Sequence, residues 1–286
     1  MTTVLGIDPA WTAHNPSGVA LLQKVGTRWR CLGLAPSYEQ FIELSRGVPV
    51  DWSLPSRGSV PVPHQLIDAS LRFGATRVDV VAADMPLSNA PITARRCADT
   101  AISRKFGAQG CCAHSPSEIR PGAISDEFSV AFRALGYSLA TTATAVGEPG
   151  HFFETYPHPA LLGLLTSDRR IPYKLARAHT YWRKFEPLTP GERREKVFIE
   201  WRRIIGALRH SIDEIHLPLP AIGSSSPHSL RQLKGLEDAL DALVCAWVGS
   251  RYLDGECTAF GNETAAIWIP DAKDQVRLES NPAASS

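Results

Sequence analysis

Apolar positions change their spacing along the chain, and each change marks an element. Val4–Ile7 is a continuous apolar run closed by Asp8 and Pro9. Residues 17–22 and 29–34 repeat that strand pattern, and 24–27 joins them as a hairpin turn. The spacing lengthens to a helical period over Tyr38–Leu44 and again over Gln65–Phe73, where Leu66, Ile67, Ser70 and Leu71 lie near one face. Residues 46–64 between them are punctuated by proline and glycine and read as a long connection. Val78–Ala83 is almost uniformly apolar, as a strand buried on both faces requires, and it stops at Asp84 and Pro86. A helix over Ser125–Leu135 and a short strand over His151–Tyr156, stopped by Pro157, follow.

Two long amphipathic helices occupy the second half. Thr189 with Glu192 three residues on forms a capping box, and Pro190 takes the first helical position. Val197, Phe198, Trp201, Ile204, Ile205, Leu208 and Ile212 keep helical spacing from there, with Arg193, Arg194, Lys196 and Arg203 opposite. The second helix runs from about Leu230 to Leu253 with Gly255 as its stop, and its stripe extends from Leu233 through Leu240 to Val248. Thr264–Ile269 predicts a last strand, and 271–286 lacks any period and reads as a flexible tail. Strand pairs followed by strand–helix alternation predict an α/β fold with a mixed sheet. The expectation is one domain over residues 1–270, with insertions at about 46–64 and 166–228.

Charge adds a local feature that the total conceals. The 286 residues carry 30 Lys and Arg against 29 Asp and Glu, which excludes a uniformly basic surface but not a basic patch. Between Arg169 and His210 there are twelve basic residues and four acids. They suit contacts to a nucleic-acid backbone, although such runs are usually a solvated helix face with pairs such as Glu192–Lys196. Trp182, Phe185 and Trp201 have stacking chemistry, but their spacing suits packing better. With no basic, apolar leader and no run near the ~20 apolar residues of a membrane span, the expectation is a cytoplasmic protein without a membrane partner. The six cysteines form no secreted disulfide pattern. Adjacent Cys111 and Cys112, with Cys97 and His114, would chelate zinc poorly and read as ordinary thiols.

Acids recur where elements end. Asp8 closes the first strand and Asp84 the later buried one, while Asp238 and Asp241 lie three residues apart beside the apolar stripe of the last helix. Carboxylates beside a core are costly unless positive charge compensates them. Two divalent ions about 3.5–4 Å apart are one solution, and such ions activate a water and stabilise the leaving oxygen of a phosphodiester. Oxygen ligands select Mg2+ or Mn2+. Glu154 is a fifth acid that could join or support the cluster. Taken singly, each has another reading: Asp8 and Asp84 suit Asx turns before Pro9 and Pro86, and Asp238 and Asp241 suit a solvated helix face. Arg95 or Arg96 either clamps a phosphate or closes a helix-terminal ion pair with Asp99. Glu154 is either catalytic or anchors a loop through backbone N–H groups. His151, His158 and His179 have the chemistry of general bases, but nothing in the sequence positions them.

The segments Gly6–Trp11, Ser17–Leu21 and Ala82–Leu87 together resemble the opening of a ribonuclease H-like domain. With Arg96–Asp99, Glu154–Pro157 and Glu237–Leu243 they resemble the DUF429 family, described as predicted nucleases of ribonuclease H fold, over residues 4 to 269. The resemblance implies a mixed five-stranded sheet flanked by helices, with a helical insertion before the last core helix. Asp238–Leu243 is also similar to the last helix of bacterial Holliday-junction resolvases. That similarity implies Asp8, Asp84, Asp238 and Asp241 as metal ligands, and Glu154, from the DUF429 motif Glu154–Pro157, is expected as a further catalytic acid. Arg95, Arg96, Asp99 and Tyr156 would then contact substrate. Resolvases commonly carry Glu where this chain has Asp84, and the shorter arm shifts the ion spacing or requires a bridging water. The expected activity is two-metal-ion hydrolysis of phosphodiesters in nucleic acid. A nucleotide-binding phosphotransferase of the sugar-kinase and actin-like type, using Asp8, Thr12 and Ser17, is the alternative from another class. A non-catalytic binding protein is the third, since a fold does not dictate its function. Oligomeric state is open, with a dimer among the possibilities.

Overall fold

Three hydrogen-bonded strands start the sheet because the first three apolar runs are joined by short, turn-forming segments. In the computed structural model, which describes residues 1–182, 187–223 and 229–272, β1 (Thr3–Asp8), β2 (Gly18–Val25) and β3 (Arg28–Ala35) form an antiparallel meander. The β2–β3 turn passes through Gly26 at φ 62°, a left-handed conformation that favours glycine. Helices α1 (Tyr38–Leu44) and α2 (Pro63–Arg72) cross back, and β4 (Val80–Ala83) then lies parallel to β1. Next come α3 (Cys97–Phe106), α4 (Ala123–Ala134), the two-residue β5 (Ser138–Leu139) and β6 (His151–Thr155), with β6 parallel to β4. The second half contributes α5 (Pro157–Leu165), α6 (Ala178–Tyr181), α7 (Pro190–Leu208), β7 (Ile212–Asp213) and α8 (Leu230–Leu253). A hairpin of β8 (Cys257–Gly261) and β9 (Ala266–Pro270) ends the described chain.

The mixed sheet has the order β7-β3-β2-β1-β4-β6-β9-β8, with β5 pairing β6. Nine strands among the described residues replace the expected five. The extra ones are two short strands, β5 and β7, and the β8–β9 hairpin that extends the β6 edge. Ile212 belongs to β7 and not to the preceding helix: α7 ends at Leu208, and Ile212 pairs with Trp29 of β3. Leu71 is 42% exposed, so the buried face of α2 is carried by Pro63, Leu66, Ala69 and Ser70. Phe185 and the tail from residue 273 onward lie outside the described residues.

Helix α8 determines where the site forms. Every residue from Gly235 to Ser250 is buried, so α8 is a core helix clad by β1, β2 and β4 on one side and α5 and α7 beyond. Its approach is close because glycines face it. A Cβ on Gly6 would stand 2.3 Å from the Ala242 carbonyl oxygen, and one on Gly18 would stand 2.0 Å from that of Asp238. The opposite face of the sheet packs a second core under α1, α2 and α4. Among the described residues no helix is long and apolar enough to cross a membrane.

Candidate active site

Strand register brings the acids together. Ile7 pairs with Ala83, so Asp8 and Asp84 leave adjacent parallel strands at the same level. Side chains alternate along a strand, so Asp8 shares the α8-facing side of β1 with Val4 and Gly6. Gly18, paired with Asp8 across the hairpin, abuts the backbone of Asp238. Asp241 lies one helical turn further on, fully buried. Glu154 is level with Ala83 on β6. By the same alternation it emerges on the opposite side of the sheet, towards α3. The four aspartates therefore form one group, and Glu154 stands across the sheet from it.

The residues that neutralise this group arrive from the insertion. Tyr173, Lys174 and Leu175 dock in succession on two acids one turn apart on α8. The Tyr173 hydroxyl donates to Asp241 Oδ1 at 2.6 Å, the Lys174 ammonium binds Asp241 Oδ2, and the Leu175 N–H donates to Glu237 Oε2 at 2.6 Å. Trp201 of α7 fixes this strap by donating its indole N–H to the Tyr173 carbonyl at 2.8 Å. Lys234 reaches along α8 to Glu237 at 3.0 Å and to Asp238 Oδ1. Both oxygens of Asp241 are thus engaged. Asp238 Oδ2 is buried without a partner, and the side-chain carboxylates of Asp8 and Asp84 have no hydrogen bond or ion pair among the described residues.

Five carboxylates (Asp8, Asp84, Glu237, Asp238 and Asp241) face two ammonium groups, and the imbalance shows in their proton affinities. Burial, reinforced by Asp241, pushes Asp8 up to about 7 even though Lys174 and Lys234 oppose it. Burial and the Asp8 charge hold Asp84 well above the ordinary carboxylate range, and burial does the same to Asp238 against the pull of Lys234. Glu237 goes the other way: burial is outweighed by the two lysines and the Leu175 N–H. Burial alone would lower Lys174, but Asp241, Tyr173 and Glu237 more than reverse it, so that lysine stays charged.

Asp8, Asp84 and Asp238 line the floor of a cleft of about 660 Å³, within the range of small-ligand sites. Their donors are all hard oxygens, and Asp238 Oδ2 is an orphaned buried acceptor, so the chemistry of the floor fits Mg2+ or Mn2+. Among the described residues no three such side chains already converge as a metal-holding group. An ion would compete with Lys234 for Asp238 and with Lys174 for Asp241. The expected shell thus divides into three acids open to the cleft and one, Asp241, committed to Tyr173 and Lys174.

A family model described as a protein of unknown function, DUF429, matches residues 6–266. The chain belongs to the DUF429 family. No curated protein and no solved structure matches it.

Around the DUF429 acids, the expected substrate contacts occupy different roles. Arg96 is buried and binds Glu154 through both guanidinium arms at 2.5 and 2.8 Å, and Asp99 at 2.6 Å. Glu154 also accepts the Leu87 N–H at 2.9 Å. This triad ties the loop after Asp84 to α3 and β6, and Arg96 does not line the cleft. Arg95 turns to Ser103 at 2.6 Å and Ser115 at 2.8 Å, also off the cleft. Asp99, Glu154 and Tyr156 do line it, Tyr156 with its hydroxyl donating to the Cys112 carbonyl at 3.2 Å.

Sequence reasoning missed Tyr173, Lys174, Lys234 and Glu237. Lys234 and Glu237 carried a readable signal, because they sit at i−4 and i−1 from Asp238 on one helix. Tyr173 and Lys174 carried none, since their partner is 67 or 68 positions away. The Cβ-free contacts at Gly6 and Gly18 explain why Gly6-Ile7-Asp8 and Ser17-Gly18 accompany the acids: only there can α8 come close enough to present Asp238 beside Asp8.

Proposed function

We propose that this DUF429 chain is a metal-dependent phosphodiester hydrolase of ribonuclease H-like fold that acts on nucleic acid. The observation carrying the reading is the surplus of carboxylate over ammonium around Asp8, Asp84 and Asp238, which line a cleft also lined by Lys174, Arg170, Arg177 and Arg120. Acids and cations lining one cleft are complementary to a divalent cation and a phosphate together. The centre of the sheet supports the fold reading: antiparallel β3-β2-β1 continued by parallel β4 and β6 gives a five-stranded mixed core that the other strands enlarge.

Asp8, Asp84 and Asp238 would hold the metal, which when bound supplies an activated water and charge stabilisation at the leaving oxygen. The chain's own residues do the rest. Tyr173 and Lys174 fix Asp241 and set the charge at the back of the floor. Lys234, with its side chain 46% exposed, holds Asp238 and can release it. The Arg96–Glu154–Asp99 triad keeps the loop carrying Asp84 in place. Thermal unfolding with and without Mn2+ tests the reading. The native chain should gain stability saturably with the ion, and Asp84→Asn should abolish the gain. No response of the native chain to millimolar Mn2+ would overturn it.

A further inference from the structure

Besides the acids and their lysines, the cleft is lined by arginines that have no carboxylate partner among the described residues. Arg170 has no carboxylate partner among the described residues. Its backbone N–H donates to the Gln109 carbonyl at 2.8 Å, which fixes its position, and one guanidinium nitrogen donates to His158 Nε2 at 2.5 Å. A second donates to the Gly110 carbonyl at 3.5 Å, and its Nε is buried with no acceptor. His158, only 5% exposed, is clasped between the rings of Tyr156 and Tyr173 at centroid distances of 5.5 and 5.1 Å. Because Nε2 accepts from Arg170, the ring proton resides on Nδ1, and that donor too is buried without a partner. Arg177 and Lys174 also line the cleft, Lys174 as the partner of Asp241. Burial and the surrounding cations Arg170, Lys174 and Arg177, with His114, keep His158 neutral, so it serves as a hydrogen-bond donor and not as a further charge.

Unmet donors and unpaired guanidinium groups are what a phosphate oxygen satisfies, and arginine offers the matching planar fork. We propose that Arg170 and His158, with Arg177 at the mouth, form a phosphate-binding subsite of the cleft, distinct from the acidic floor. The ligand is a phosphate group carried by a nucleotide or a nucleic-acid strand. The assignment deepens the phosphodiesterase reading and rests on it for the identity of the ligand, but phosphate binding itself needs no metal. It also narrows the basic segment: of its Lys and Arg among the described residues, those that line the cleft are Arg170, Lys174 and Arg177.

Calorimetric titration in EDTA tests it, with inorganic phosphate, a 5′-mononucleotide and the matching nucleoside as probes. Phosphate and the mononucleotide should bind the native chain saturably and the nucleoside should not. Arg170→Gln should weaken phosphate at least tenfold and Arg177→Gln, at an exposed position, several-fold. Arg194→Gln on α7 should leave binding within twofold, and Asp84→Asn should retain it. A mononucleotide bound more tightly than inorganic phosphate supports a nucleotide or strand as ligand, and the reverse order overturns that identity. Absence of phosphate binding, equal weakening by Arg170→Gln and Arg194→Gln, or an unchanged Arg177→Gln overturns the subsite. Retained phosphate binding without Mn2+-dependent stabilisation leaves the subsite standing and removes the hydrolase reading.

Discussion

Replacing Asp8 by Asn should make the metal-free protein more stable, and increasingly so as pH rises. Folding raises Asp8 from 3.8 to about 7, mainly by burial and by the charge of Asp241. The sign follows from which state holds the proton. Below pH ~4 the carboxyl is protonated in both states and costs nothing. Between the two values the fold retains a proton that the unfolded chain has lost, so stability falls as pH rises, and the loss is complete above about 7. At 1.36 kcal/mol per pH unit the full cost is about 4 kcal/mol, of which about 2.5 kcal/mol accrues between pH 5 and pH 8. Asn at this position does not titrate. Urea unfolding in EDTA at both pH values, for the native chain and Asp8→Asn, isolates the effect, because any packing cost of the amide is common to both. The advantage of the variant should grow by about 2.5 kcal/mol from pH 5 to pH 8. A difference that stays constant, or shrinks, would refute the claim that Asp8 sits, half-buried, in an excess of negative charge.

Other substitutions probe the scaffold. Tyr173→Phe strands one oxygen of fully buried Asp241 and should cost about 1–3 kcal/mol in denaturant unfolding. Arg96→Gln leaves Glu154 and Asp99 as buried, unpaired carboxylates and should cost about 3–5 kcal/mol. Gly18→Ala drives a methyl to 2.0 Å from the Asp238 carbonyl oxygen and should cost at least about 3 kcal/mol or prevent folding. Gly163→Ala, in α5 with nothing within 4 Å, should instead raise the unfolding midpoint slightly, by about 0.5–1 kcal/mol in stability.

How far these features could be read from sequence depends on how local their causes are. The α1 helix spans Tyr38–Leu44 and α8 spans Leu230–Leu253 as the periodicity predicts, because Ser37, Ser229 and the apolar spacing act within a few residues. Thr189 and Glu192 form the capping box that their spacing implies. Pro157 was readable as a stop for β6 but not as the first residue of α5, since proline serves both ends equally well. Ile212 keeps helical phase yet pairs with β3, because Arg209, His210 and Ser211 turn the chain out of α7. The α3 helix and the β8–β9 pairing escaped because polar residues interrupt their apolar positions.

At the site, acids at two strand ends and beside the apolar stripe of the last helix singled out Asp8, Asp84, Asp238 and Asp241, which the structure brings together. That pattern could not distinguish Asp241, engaged by Tyr173 and Lys174, from the three that face the cleft. That division arises from a strap more than sixty residues away in sequence, docked by Trp201 against a helix whose own approach depends on two glycines. Arg96 likewise fits a phosphate clamp by residue type, and only its proximity to Glu154, 58 positions on, assigns it to the scaffold.

Asp8, Asp84 and Asp238 are proposed to serve metal-dependent phosphodiester cleavage. The most direct test of that role is cleavage of end-labelled single-stranded, duplex, RNA–DNA hybrid and four-way-junction substrates with Mn2+, with Mg2+ and with EDTA. The native chain should cleave at least one substrate in either ion, with no cleavage in EDTA and none by Asp84→Asn. Intact substrates throughout with the native chain in Mn2+ and Mg2+, or cleavage undiminished in EDTA or by Asp84→Asn, would contradict it.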